Sequence, residues 1–226
     1  MPRLELTSPV GPLKAIHDPP EAGATPPGRL RAALVCHPHP LHGGTMDNKV
    51  VHTLAKTLAR RGLHVLRFNF RGAGGSAGEH DDGRGETDDA RRALGELMDL
   101  AGLSAPGRLL VAGFSFGSFV GLSAAVGDGR VGALVAVAPP VDYYTYPAPD
   151  ALDVPLCVLA AEEDELVDLG AVEAWAGPPR RPEDRRVRIA GAGHLFHARL
   201  GPLRDGLDDF LDGLAGGQAP GDTLPS

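Results

Sequence analysis

Apolar residues recur along this chain in two alternating rhythms. Short runs are apolar at nearly every position, and longer stretches are apolar at every third or fourth. The runs are "RAALVCH" (31–37), "LHVLRFNF" (63–70), "RLLVAGF" (108–114), "VGALVAVAPP" (131–140), "VPLCVLAAEED" (154–164) and "RRVRIAGAGH" (185–194). They read as strands. The helical stretches are "NKVVHTLAKTLARRG" (48–62), "ETDDARRALGELMDLAG" (86–102), "FGSFVGLSAAVG" (116–127), "VEAWAG" (172–177) and "HARLGPLRDGLDDFLDGL" (197–214). The first closes on a glycine, and the second carries acids in its first turn, which suits the positive end of a helix dipole. Strands apolar on both faces, alternating with helices, require a mostly parallel sheet covered on both sides. Ahead of this pattern, "LELTSPVGPLKAIHD" (4–18) reads as two short strands about a Pro/Gly turn, with "PPEAGATPPG" (19–28) as a surface loop. No repeat or linker divides the chain. The expectation is one α/β domain over 1–214 and a disordered tail, "AGGQAPGDTLPS", over 215–226.

Composition changes this picture little. A chain of 226 residues with 42% hydrophobic and 23% charged residues can bury a sizeable core as an ordinary soluble domain. Its net charge of −7 argues against nucleic acid or an anionic membrane surface as partner, since both select basic faces. The run "RRPEDRRVR" (180–188) is interrupted by acids and reads as a solvated strand edge. Cys36 and Cys157 each lie in an apolar run, as buried thiols in a reducing compartment would. With no export signal at the start and no apolar stretch near the roughly 20 residues that span a bilayer, a cytoplasmic location is expected. The sequence leaves a homodimer open.

The chemistry centres on "GFSFG", residues 113–117, which fits G-x-S-x-G between a strand run and a helical run. A sharp strand-to-helix turn there would strain Ser115 and lift its hydroxyl above the sheet edge. Gly113 and Gly117 would be required because a β-carbon would strike neighbouring backbone. A serine hydroxyl is a weak nucleophile until a base takes its proton, so an acid and a histidine should follow in that order. Asp164, in the turn after a strand, is the preferred acid, and Asp142 is its rival. His194 is the preferred base because Gly191 and Gly193 free its loop to bend over the serine. His197, at the start of the closing helix, reads as a capping or packing residue.

Two other segments invite different chemistry. "CHPHPLHGGTMDN" (36–48) holds three histidines, but Pro38 and Pro40 stiffen the loop and no further paired motif completes a metal site from His37, His39 and His42. Its position after the first central strand instead suits an oxyanion loop. The prolines have no N–H, so the donor there is the amide of His39 or Leu41, with His39 favoured, and the amide of Phe116 is the second donor. "GAGGSA" (72–77) mimics a dinucleotide fingerprint but opens no amphipathic helix, so it reads as a structural loop. No cofactor or metal is expected.

Together "HPHPLHGGTMDNKVV", "LRFNFRGAGGSAG", "GFSFGSFVG", "APPVDYY", the turn at Asp164 and "GHLFHARL" resemble the small, lidless bacterial serine hydrolases of the α/β-hydrolase superfamily. They are similar more distantly to dienelactone hydrolases and serine aminopeptidases. The resemblance runs from about Leu4 to Leu214 and implies an α/β-hydrolase fold with Ser115 as nucleophile, Asp164 as acid and His194 as base. Ala161 stands where relatives often have glycine. The nucleophile is serine where dienelactone enzymes use cysteine, so their activity is not carried over.

The expected reaction is hydrolysis of a small-molecule carboxylic ester through an acyl-enzyme. A peptidase or amidase with the same triad, and a non-catalytic binding protein on the same fold, are the alternatives. "PPVDYYTYPAPDALDV" (139–154) is too short for a lid domain. An open cleft follows, suited to short or bulky acyl groups and edged by Tyr143, Tyr144 and Tyr146, with Phe114 and Leu41 nearby.

Overall fold

A computed structural model describes residues 3–216. Eight strands form one sheet: β1 (Arg3–Leu6), β2 (Leu13–Asp18), β3 (Ala32–Cys36), β4 (His64–Phe68), β5 (Leu109–Phe114), β6 (Val131–Val137), β7 (Leu156–Ala161) and β8 (Arg185–Ile189). Their order is β1-β2-β4-β3-β5-β6-β7-β8. The pairs from β4 to β8 are parallel, and only the β1–β2–β4 edge is antiparallel. Five helices cover it: α1 (Lys49–Arg60), α2 (Arg84–Leu100), α3 (Phe116–Ala125), α4 (Leu169–Ala176) and α5 (Leu200–Gly216).

The period-two alternation of each strand divides the core into two layers. Leu34, Cys36, Leu109 and Val111 face one layer, which contains Leu94, Leu97, Val120 and Val172 from α2, α3 and α4. Ala33, Val35, Leu110, Ala112 and Phe114 face the other, against Val50, Leu54, Leu203 and Phe210 from α1 and α5. Apolar burial on both faces is why the central strands show no polar alternation. Each fully buried leucine or phenylalanine contributes on the order of 1.5–3 kcal/mol.

Helix boundaries follow local capping. The Asn48 side chain accepts from the Val50 N–H at 2.8 Å and starts α1. Helix α2 begins two residues before the predicted Glu86, because that carboxylate reaches back to the Gly83 N–H at 2.9 Å. The closing helix begins at Leu200, not His197. Phe196 and Ala198 adopt positive φ angles of 50° and 57°, which no helix can contain. Of the predicted tail, residues 215 and 216 end α5 and the rest lies outside the described residues.

The strand order reverses at β3, whose neighbours β4 and β5 lie on opposite sides. In open parallel sheets the carboxyl ends of the strands beside such a reversal are where ligands bind. The loops that leave β3, β5, β7 and β8 at that edge carry the candidate chemistry. The β6–β7 connection holds a single short 3-10 turn at Pro149–Ala151 and no lid.

Candidate active site

Ser115 sits between β5 and α3 with φ 53° and ψ −125°, a conformation L-residues rarely adopt. The two motif glycines make room for it. A β-carbon on Gly113 would lie 2.2 Å from the Gly117 carbonyl oxygen, and one on Gly117 would lie 2.4 Å from those of Cys36 and His37. Helix α3 therefore starts hard against the end of β3. The Ser115 N–H donates to the Val137 carbonyl at 2.8 Å, tying the turn to β6.

The hydroxyl of Ser115 is 3.0 Å from His194 Nε2. On the other side of the ring, Nδ1 is 2.9 Å from Asp164 Oδ2 and 3.1 Å from Oδ1. Asp164 also accepts from the Leu166 and Val167 N–H groups at 2.9 and 3.0 Å. An ionised carboxylate only accepts, so Nδ1 carries the imidazole proton and Nε2 is left to accept from the serine. Asp142 is exposed and makes no hydrogen bond or ion pair to this ring. The His197 ring meets the Lys49 ammonium instead.

The His194 loop is held by carboxylates. Glu165 Oε2 accepts from the His194 N–H at 3.0 Å, and Glu162 Oε2 accepts from Gly191 N–H at 3.1 Å. The Glu163 N–H donates to the Ala192 carbonyl at 2.8 Å. The His194 N–H holds the Glu165 carboxyl below the usual range. No local signal in the sequence marks Glu162 or Glu165 for this part. Their partners lie some thirty residues away, on a loop that only the sheet brings close.

The histidine loop behaves as a backbone device. His37 is fully buried: its Nε2 accepts from the Phe70 N–H at 3.0 Å, and Nδ1 is 2.6 Å from the Pro38 carbonyl. Burial pushes its pKa down to about 4, so the ring is neutral and both nitrogens are engaged by backbone. The Leu41 N–H donates to His39 Nδ1 at 3.2 Å. Among the described residues neither the His39 nor the Phe116 N–H has a protein acceptor, and Phe116 opens α3, where negative charge is favoured. The two side-chain rings are 4.9 Å apart.

Around this centre Leu41 and Tyr143 are 71% and 68% exposed and can meet a ligand. Tyr144 is partly buried and stacks on Phe119 at 4.8 Å. The expectation for Phe114 is corrected. It has no exposed surface, because strand alternation turns it into the α1/α5 layer, where its ring backs His194 at 5.3 Å. His80, which no local signal in the sequence marks for this site, lies against His39 at 4.7 Å and Phe116 at 5.5 Å. "GAGGSA" forms turns, with the Asn69 amide donating to the Gly74 carbonyl at 3.1 Å, and no helix opens there.

This fold is matched by known proteins. The alpha/beta hydrolase fold family matches residues 41–151. An uncharacterized protein, RP471, of Rickettsia prowazekii is 32% identical over 221 residues, covering 93% of this chain and 89% of its own. The crystal structure of XC6422 from Xanthomonas campestris, described as an α/β serine hydrolase without lid, is 35% identical with a TM-score of 0.81 and covers 93% of each chain. An α/β serine hydrolase homologue from Coxiella burnetii is also 35% identical, with a TM-score of 0.80, covering 96% of this chain and 97% of that one. The chain belongs to the α/β-hydrolase superfamily, among its small, lidless serine hydrolases.

Proposed function

We propose that this hydrolase cleaves carboxylic esters through an acyl-enzyme on Ser115. The observation that carries the reading is the continuous chain Ser115 Oγ–His194–Asp164, with contacts of 3.0 and 2.9 Å. His194 Nε2 takes the serine proton as Oγ bonds to the ester carbonyl carbon. The carbonyl oxygen becomes an oxyanion facing the Phe116 and His39 amides. Collapse breaks the bond to the alcohol, which leaves with the proton from Nε2. Water then repeats the sequence, releasing the acid and restoring the serine. Asp164 holds the imidazole orientation and stabilises its charged form.

Leu41, Tyr143 and Tyr144 form the rim for a small-molecule ester. The lidless edge favours short or bulky exposed acyl groups over long buried chains. We also propose a cytoplasmic location, which the two unpaired, fully buried thiols support. Among the described residues no helix is long and apolar enough to cross a membrane.

A panel of p-nitrophenyl esters of increasing acyl length, run beside matched p-nitroanilides, tests the proposal. Ester turnover should peak at short acyl chains and exceed amide turnover. A steady rise to long chains contradicts the open cleft, and faster amide cleavage contradicts the esterase reading.

A further inference from the structure

Behind Ser115 lies a polar chain, fully buried at Ser118 and partly buried at Tyr146, that the triad does not use. Ser118, one turn into α3, is fully buried. Its hydroxyl donates to the Ser115 carbonyl oxygen at 2.6 Å, and its own N–H donates to the same oxygen at 2.8 Å. The Tyr146 hydroxyl lies 2.7 Å from Ser118 Oγ. Because the Ser118 proton is already given to the carbonyl, the phenol must be the donor in that contact. Tyr146 comes from the β6–β7 connection and is wedged between Phe119 at 5.6 Å and Trp175 at 5.1 Å. The Trp175 N–H in turn donates to the Pro147 carbonyl at 3.1 Å. Burial pushes the phenol's pKa well up, so Tyr146 keeps its proton across the working range.

The Ser115 carbonyl and the Phe116 N–H are opposite ends of one planar peptide. Rotating that plane would leave the positive Ser115 φ in place but would turn the carbonyl toward the oxyanion position, replacing a donor by an acceptor. One hydrogen bond to the carbonyl already satisfies backbone accounting. A second bond, backed by a third along the chain, resists the flip and polarises the amide into a better donor.

We propose that Ser118 and Tyr146 are positioning residues for the oxyanion site, acting in series on the peptide that presents the Phe116 N–H. This rests on the ester-hydrolase reading for its kinetic consequence but not for its structural one.

The experiment compares Ser118→Ala, Tyr146→Phe and the double variant. Its readouts are ester kinetics, affinity for a trifluoromethyl ketone that adds to the serine, and the amide resonance of Phe116 in the free protein. Ser118→Ala should lower kcat about tenfold, and Tyr146→Phe about threefold, each with KM changed by less than about twofold. Ketone affinity should fall in parallel with kcat/KM. The double variant should be no worse than Ser118→Ala alone, because the phenol acts only through that hydroxyl. The Phe116 amide signal should move in both single variants. An unmoved signal, fully additive losses, or losses confined to KM would overturn the proposal, and Tyr146→Phe, which removes one oxygen, keeps the test open if Ser118→Ala fails to fold. A wild-type protein inert to esters whose Phe116 signal still moves would sink the ester reading and leave the positioning intact.

Discussion

Ser115 and His194 stand 3.0 Å apart, yet the segments that carry them are built by different means. The serine is held by backbone. Gly113 and Gly117 let β5, α3 and the end of β3 touch at distances no side chain could share, and a neutral buried imidazole, His37, pins the adjoining loop to Phe70. The histidine is held by side chains. Three carboxylates, Glu162, Asp164 and Glu165, grip its ring and the N–H groups of its loop from the turn after β7. Close backbone packing fails as a unit when disturbed, whereas the carboxylate–amide bonds of the exposed Glu162 and Glu165 can be loosened one at a time. The first half should therefore register damage as lost stability, and the second as lost turnover.

The sharpest way to break the contrast is Gly117→Ala. Its β-carbon would meet two main-chain carbonyls that cannot yield cheaply, so the variant should lose about 3 kcal/mol or more in urea unfolding, or fail to fold. A variant of wild-type stability would show that the backbone half is not close-packed as described.

The two halves were legible in the sequence to different degrees for the same reason. A steric requirement leaves its mark locally, and so "GFSFG" announced the elbow, its glycines and its serine. The grip on His194 depends on residues such as Glu162 and Glu165 meeting a loop thirty positions away, and nothing in their own neighbourhood records that meeting. His80 was missed likewise, because its packing on His39 and Phe116 is made by tertiary contact. Phe114 is a different case. It shares the Leu110 and Ala112 face of β5, so its side chain enters the α1/α5 layer even though the next residue is Ser115. The layered sheet was legible because burial on both faces writes itself into every strand. The true start of α5 was not, since it turns on left-handed angles at Phe196 and Ala198 that neither residue type advertises.

His37 gives the second test. Its folded pKa of about 4 lies below the unfolded value near 6.5, so the unfolded chain binds more protons between those limits. The stability it secures is fully present above about pH 6.5 and falls away as pH drops toward 4, by about 3 kcal/mol in all. Urea midpoints measured from pH 7 to 4.5 should fall less steeply in His37→Gln, whose amide oxygen can still accept from Phe70. Equal slopes in the two proteins would contradict the buried neutral ring.

The smallest expected effect lies on the side-chain half. Glu165→Ala should lower kcat roughly fivefold, since the His194 backbone loses one anchor, while thermal stability stays near wild type. Glu165→Gln, which keeps an acceptor, should recover most of the activity. A stability loss without a turnover loss would reverse the contrast for this residue.

The whole account depends on Ser115 being a nucleophile activated by His194, and fluorophosphonate labelling with mass mapping tests that most directly. The account predicts one modified residue, Ser115, no labelling in Ser115→Ala, and labelling slowed by orders of magnitude in His194→Ala. Label on another residue, or an undiminished rate without the imidazole, would contradict it.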